Sequence, residues 1–207
     1  MSKLQNGLIE EFGTKGLDKF LEKNNPNLFH LTLSMLTLSQ SKVREKAQEL
    51  MHEKREDFMK ILQNTKLTTD KIDYFTRRNH HGPKYINIIY LDLKEDDEYE
   101  RVKKAVDYLI KLLLKEEVIA SEELKSMNIE YNHKEGTFCT KKLHITLFRC
   151  KGLYEDEDFL SVYEKVGDMF KNQELCCNWI DISTRFAYDE TKFYQPLYRI
   201  PITEEKE

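Results

Sequence analysis

Two five-residue segments constrain this chain more than any other feature: Phe29-His30-Leu31-Thr32-Leu33 and Leu143-His144-Ile145-Thr146-Leu147. Each sets a histidine and a threonine two residues apart between apolar neighbours. In an extended strand, residues i and i+2 share a face. Each segment therefore predicts a strand with an imidazole and a hydroxyl on one side and Leu or Ile on the other. A single strand of this kind is commonplace, since many strands carry a polar outer face. Two of them, about half a chain apart, predict a cleft with a histidine on each wall.

The elements around the two segments follow one repeated order. Residues 8–21 carry Ile9, Phe12, Leu17, Phe20 and Leu21, a helical pattern interrupted by Gly13 and Gly16. A strand over 28–38 holds the first segment. Val43, Ala47, Leu50, Met51, Phe58, Ile61 and Leu62 recur at helical spacing and predict a helix over 41–64. Strands at 70–76 and 84–93 follow. The second half gives a helix over 98–118, a loop over 121–137, the second motif strand at 141–150 and a helix over 158–171 capped by Asp156 or Asp158. A hairpin over 178–188 and 192–202, turning at Asp189-Glu190, closes it. Each half reads helix, H-x-T strand, helix, strand, strand. This predicts a duplicated α+β architecture with a pseudo-two-fold axis, in which 1–207 is a single domain with lobes at about 8–93 and 98–202.

Composition removes whole classes of function. With 40% hydrophobic and 34% charged residues, and only 7 Gly and 4 Pro, the chain is that of a folded protein rather than a disordered one. No apolar run approaches the roughly 20 residues of a membrane span, and Met1–Asn6 opens no signal-peptide stretch. We therefore expect an intracellular protein, cytoplasmic or nuclear, without a membrane partner. On that reading Cys139, Cys150, Cys176 and Cys177, which form no C-x-x-C, are reduced thiols, with Cys176 and Cys177 as packing residues. A net charge of -4 argues against nonspecific coating of nucleic acid, although not against a local basic cleft.

Histidine exchanges a proton near neutrality, its unperturbed pKa being about 6.5. Two histidines flanking a phosphodiester can divide the work, one deprotonating the attacking hydroxyl and the other protonating the leaving oxygen. A threonine hydroxyl beside each can donate to the phosphate oxygens that gather charge. This chemistry calls for no metal and no cofactor. The sequence offers no P-loop, G-x-S-x-G or H-E-x-x-H in its place.

The segment from Phe29 to Leu36, together with His144-Ile145-Thr146-Leu147, resembles the two signatures of the 2H phosphoesterase superfamily. The match is closest to its eukaryotic branch, which includes the phosphoesterase-like domains of A-kinase anchoring proteins and of a subunit of the activating signal cointegrator complex. The resemblance covers about residues 28–202. It implies a bilobal α+β fold, two antiparallel sheets around a central groove with helices outside. It further implies metal-independent phosphodiesterase activity on RNA ends, 2′,5′-linked oligonucleotides or cyclic nucleotide phosphates. His30 and His144 would be the acid–base pair, and Thr32 and Thr146 would bind the phosphate. The alternative is a module of the same fold that binds nucleotide or RNA without turnover, within a larger complex. The family pattern also has a strand before the first helix, for which Met1–Gly7 offers no alternation.

Further substrate-binding candidates come from position. Ser34 and Phe148 share strand parity with the motif histidines and are expected to line the groove, whereas Arg149 has the opposite parity. Arg77, Arg78, His80, His81 and Lys84 form a basic loop, from which Arg77 and Lys84 could hold a phosphate. Tyr198 is a candidate for base stacking. His52 and His133 read as surface residues, and no set of side chains is spaced as a metal site.

Overall fold

The computed structural model describes residues 2–23, 30–38, 40–78, 82–140, 142–188, 190 and 194–202. Two compact units form. One comprises Met1–Leu31, Thr68–Lys94 and His144–Glu174, the other Thr32–Leu67, Glu95–Leu143 and Leu175–Glu207. Both draw on both halves of the chain, rather than dividing near 93–98 as the repeated order suggests. The reason is strand pairing: a strand from the second half lies between strands from the first.

In the first unit, helix α1 (Ser2–Gly13) is followed by strand β1 (Leu21–Lys23). The long strands are β2 (Lys66–Arg78), β3 (Lys84–Leu93) and β6 (His144–Tyr154), and helix α5 spans Glu157–Val166. With β7 (Glu174–Cys176) they build a sheet in the order β1-β6-β3-β2-β7. Leu4, Leu8 and Phe12 recur every fourth residue on α1 and are buried. Phe12 meets Phe159 of α5 at 5.9 Å, and Phe159 meets Tyr74 of β2 edge-on at 5.0 Å. Each fully buried aromatic contributes about 1.5–3 kcal/mol. The Gln5 amide of α1 donates to the Leu147 carbonyl at 3.1 Å. The Asp156 side chain accepts the Phe159 N–H at 2.9 Å and so caps α5, as expected. The predicted first helix is displaced: it begins at Ser2 and stops at Gly13, because Gly16 turns the chain at φ 65. Leu21, expected inside it, lies in β1 opposite Cys150.

The second unit holds helices α2 (Ser41–Glu53), α3 (Arg55–Leu62) and α4 (Asp97–Lys115) with two hairpins. One hairpin is β4 (Ile129–Asn132) with β5 (Thr137–Thr140), the other β8 (Trp179–Tyr188) with β9 (Tyr194–Pro201). The helix expected over 41–64 breaks at Lys54, between α2 and α3. Asp96 caps α4 by accepting the N–H groups of Glu98 and Tyr99. Val102, Ala105, Val106, Leu109, Ile110 and Leu113 are all buried, as their spacing predicts. Arg101 donates to the carbonyls of Ile61 at 3.1 Å and Gln63 at 2.8 Å, satisfying acceptors at the end of α3. The β4–β5 hairpin lies where a plain loop is expected. Its turn is fixed locally, with Asn132 Oδ1 accepting the Lys134 N–H and Gly136 at φ 66. The Phe138 N–H docks it on Asp107 of α4 at 2.7 Å. The closing hairpin is as expected; Asp189 of its expected turn lies outside the described residues.

The strand expected over 28–38 is the main departure in the fold. Phe29 lies outside the described residues. From His30 to Leu38 the one ladder contact among the described residues is an antiparallel bridge between Leu31 and Ile145. Strand β6 begins at His144, one residue before Ile145, so the edge available to this segment ends almost at once. An alternating pattern supplies burial but cannot supply a partner edge. The Leu38 carbonyl takes its hydrogen bond from Arg44 Nη1 at 3.1 Å.

Candidate active site

The face of the first unit's sheet away from Tyr74 is built by register. Asp73 of β2 lies opposite Tyr90 of β3, and Tyr90 lies opposite Thr146 of β6. One pair further along, Asp92 lies opposite His144. Directly opposed residues share a face, so Tyr90, Thr146, Asp92 and His144 stand together, while the Asp73 carboxylate accepts the Tyr163 hydroxyl of α5 at 3.4 Å. The bridge between Leu31 and Ile145 brings the first motif to the edge of β6, with His30 one residue before it.

His144 and Thr146 are half-buried, and His30 is too. The His144 imidazole is walled by aromatic rings. Phe75 meets it edge-on at 5.0 Å, Tyr90 lies at 5.1 Å with a 59° tilt, and Phe75 stacks on Tyr90 at 4.4 Å. Asp92 is only 8% exposed, and its Oδ1 accepts the Leu93 N–H at 3.0 Å. Asp73 is paired with Lys71 at 3.3 Å, and the carboxylate's charge raises the lysine pKa. The sequence patterns do not mark Phe75, Tyr90 and Asp92 as site residues. The signal that could find them is an acid at position 92 within an otherwise apolar strand, with the alternation that puts it beside Tyr90.

Position 148 shows why parity fails further along β6. Ile89 lies opposite Phe148 but Tyr90 opposite Thr146, so Leu147 is an extra residue and β6 carries a bulge there. Leu147 and Phe148 both turn inward and both are fully buried. Phe148 is therefore a core residue, not a groove residue, and Arg149 is exposed rather than facing the core.

Thr32 and Ser34 are half-buried at the start of the second unit, and Ser34 Oγ is buried with no hydrogen-bond partner among the described residues. Arg77 and Lys84 are exposed at the open end of β2 and β3, where Arg78 lies opposite Lys84. Asn79, His80 and His81 lie outside the described residues. Tyr198, in the second unit, is engaged with α2: its hydroxyl is 2.9 Å from His52 Nδ1 and the rings meet edge-on at 5.7 Å. His133 meets the Tyr131 ring edge-on at 5.0 Å.

All four cysteines are free. Burial pushes the Cys150 thiol up to about 12, whereas Cys176, expected to pack, is exposed. Among the described residues no group of three or more His, Cys, Asp or Glu side chains could hold a metal, and no helix is long and apolar enough to cross a membrane.

Residues 1–202 match the family described as the AKAP7 2′5′ RNA ligase-like domain. The chain belongs to that family. No curated protein matches the sequence. Among solved structures, TT0787 of Thermus thermophilus is similar at a TM-score of 0.51 and 12% identity, covering 100% of this chain and 95% of that one. At that identity the likeness speaks to fold alone. Five α-helices and three antiparallel sheets among the described residues match the 2H phosphoesterase-like α+β fold that the two motifs imply.

Proposed function

We propose that this chain is a phosphodiesterase acting on RNA ends, 2′,5′-linked oligonucleotides or cyclic nucleotide phosphates, with His30 and His144 sharing acid–base catalysis. The observation that supports this reading is the bridge between Leu31 and Ile145. Continued by one residue, its register would put His30 opposite Thr146 and diagonal to His144. Diagonal cross-strand neighbours have Cβ atoms about 7–8 Å apart, a separation that admits a phosphate between two imidazoles. The family's 2′5′ RNA ligase-like description points to the same linkage chemistry.

In this reading one histidine takes the proton of a ribose hydroxyl or of water as its oxygen attacks phosphorus. The bond from phosphorus to the leaving oxygen breaks, and the second histidine protonates that oxygen. The Thr146 hydroxyl donates to the non-bridging oxygens. Arg77 and Lys84, both exposed, would attract the backbone of a longer substrate.

The test is to incubate 2′,5′- and 3′,5′-linked triadenylate with the protein in EDTA and weigh the products. Cleavage that disappears in His30→Ala and His144→Ala supports the proposal. Cleavage that survives in both variants, or that needs added divalent metal, overturns it. Tight binding without products would favour the module that holds RNA without turnover.

A further inference from the structure

We infer that the sheet of the first unit carries a second binding site, for a single strand of RNA, at the end of its ladder remote from His144. This rests on the phosphodiesterase reading above, to which it gives a substrate several nucleotides long. The site is one row of directly opposed residues: Arg77 of β2, Tyr85 of β3 and Tyr154 of β6. Opposed residues share a face, so two phenol rings and a guanidinium stand on one side of the sheet. Alternation shows which side. In the adjoining row Ile86 lies opposite Leu153, and both are buried in the core, at 0% and 1% exposure. Tyr154 is 48% exposed, and Arg77 is exposed as well. Strand β2 carries the face through without interruption, since the extra residue in its pairing with β3 here, Asn87, belongs to β3. Arg77 therefore shares its side with Phe75, whose ring meets His144 edge-on at 5.0 Å.

The ground between the two ends is basic. Phe75 lies opposite Ile88, and Ile88 opposite exposed Arg149. Arg78 and Lys84 form the last pair of the β2–β3 ladder. Two acids stand near, and both are engaged: Glu22 of β1, opposite Arg149, pairs with Lys151, and Glu155 accepts the Tyr74 hydroxyl at 3.0 Å. Positive charge thus gathers here in a chain whose net charge is -4. With its amide oriented to satisfy both neighbours, Asn87 donates to the Phe75 carbonyl at 2.7 Å and accepts Arg77 Nε at 3.3 Å, which steadies the guanidinium. Exposed rings beside arginines are what a single strand needs, since bases stack on the rings and phosphates meet the cations. From Tyr85 to Asp92, the residue opposite His144, seven residues at about 3.3 Å each span about 23 Å. A stacked strand rises about 3.4 Å per nucleotide, so about seven nucleotides reach from one end to the other. A mononucleotide or cyclic phosphate at His144 and Thr146 would not touch the tyrosines, whereas an oligonucleotide would.

Binding and turnover test this separately. Binding is measured on the His144→Ala protein in EDTA, so that no probe is consumed. Fluorescence anisotropy follows a labelled oligoadenylate of about eight nucleotides and a labelled diadenylate, each in 2′,5′ and 3′,5′ linkage. The longer strand is expected to bind at least about fivefold more tightly, the low end for one base stacked on an aromatic ring. Adding Tyr85→Ala or Tyr154→Ala is expected to remove most of that gain and leave the diadenylate unchanged. Tyr154→Phe is expected to keep it, because the ring and not the hydroxyl stacks. Arg77→Gln is expected to flatten the plot of log affinity against log salt by about 0.7. A thermal melt of each variant separates lost affinity from lost folding. Equal affinity for the two lengths, or folded tyrosine variants that bind the longer strand undiminished, overturns the site. In turnover, with His144 restored, the tyrosine variants are expected to raise KM for the longer strand and leave kcat unchanged. Length-dependent binding that the tyrosine variants abolish, with no cleavage of either probe, would sink the phosphodiesterase reading and leave the site standing. Cleavage of both lengths with equal kcat/KM would sink the site and leave that reading standing.

Discussion

At the scale of single residues, Thr146 is distinguished from a structural threonine by its neighbours. It is half-buried, opposite Tyr90 and on the face of His144. Removing one preorganised donor to a phosphate oxygen costs about 10²–10³-fold in kcat. Thr146→Ala is therefore expected to lose that much with its melting temperature little changed, and Thr146→Ser to keep most activity. Steady-state kinetics beside a thermal melt would check this, and an equal loss in the serine variant would count against the hydroxyl. Cys150 bears on a different property. Its thiol lies at about 12, against an ordinary 9.0, because burial penalises the thiolate. The folded-state pKa lies above the unfolded one, so the stability this thiol contributes is complete below about pH 9 and is lost as pH rises toward 12. Tyr74 acts in the same sense, its hydroxyl raised to about 12 by burial and by donating to Glu155. Melting temperature is expected to fall from pH 9 to pH 11, and to fall less in Cys150→Ala. Identical slopes in the two proteins would refute the assignment.

At the scale of elements, Arg101 joins two helices through hydrogen bonds rather than packing. It donates to the Ile61 and Gln63 carbonyls and pairs with Glu98 at 3.1 Å. Leaving acceptors at a helix end without their donor costs about 1–3 kcal/mol. Arg101→Ala is expected to lower stability by that amount, and Arg101→Lys to recover part, by urea denaturation. No sequence pattern announces this link, because an arginine on a helix surface reads as a solvated charge. Helix α4 and strand β3 were legible because their apolar positions keep one period from end to end. The first motif was not: its alternation is genuine, but a strand exists only where a neighbouring edge continues, and β6 begins at His144. Position 148 failed for a related reason. One extra residue at Leu147 shifts the parity of the rest of β6, and no residue type marks the shift. His144 and Thr146 precede the bulge and keep the face predicted for them, whereas Asp92 becomes meaningful only through its opposite residue.

At the scale of the whole molecule, the repeated order of elements suggests two lobes that divide the chain near its middle, and the contacts do otherwise. Strand β6 lies between β1 and β3, both from the first half. Its pairing with β3 runs from Tyr85 opposite Tyr154 to Asp92 opposite His144. The first unit's core depends on α5 as well, through Phe159 against Phe12 and Tyr74. A fragment ending at residue 95 would keep β1, β2 and β3 but lose the strand between β1 and β3 and the helix that covers Tyr74. The apolar residues Ile86, Ile89 and Leu91, all buried in the intact chain, would lose their neighbours on β6. Hydrophobic burial of this size exceeds the marginal stability of a small domain. The fragment 1–95 is therefore expected to be unfolded or aggregated, with collapsed amide dispersion in its NMR spectrum. Mixing it with 96–207 is expected to restore dispersion and activity together. An independently folded 1–95, with native dispersion and a cooperative melt, would show that the sequence halves are folding units after all. In that case the pairing of β3 with β6 would join two pre-formed bodies instead of creating one.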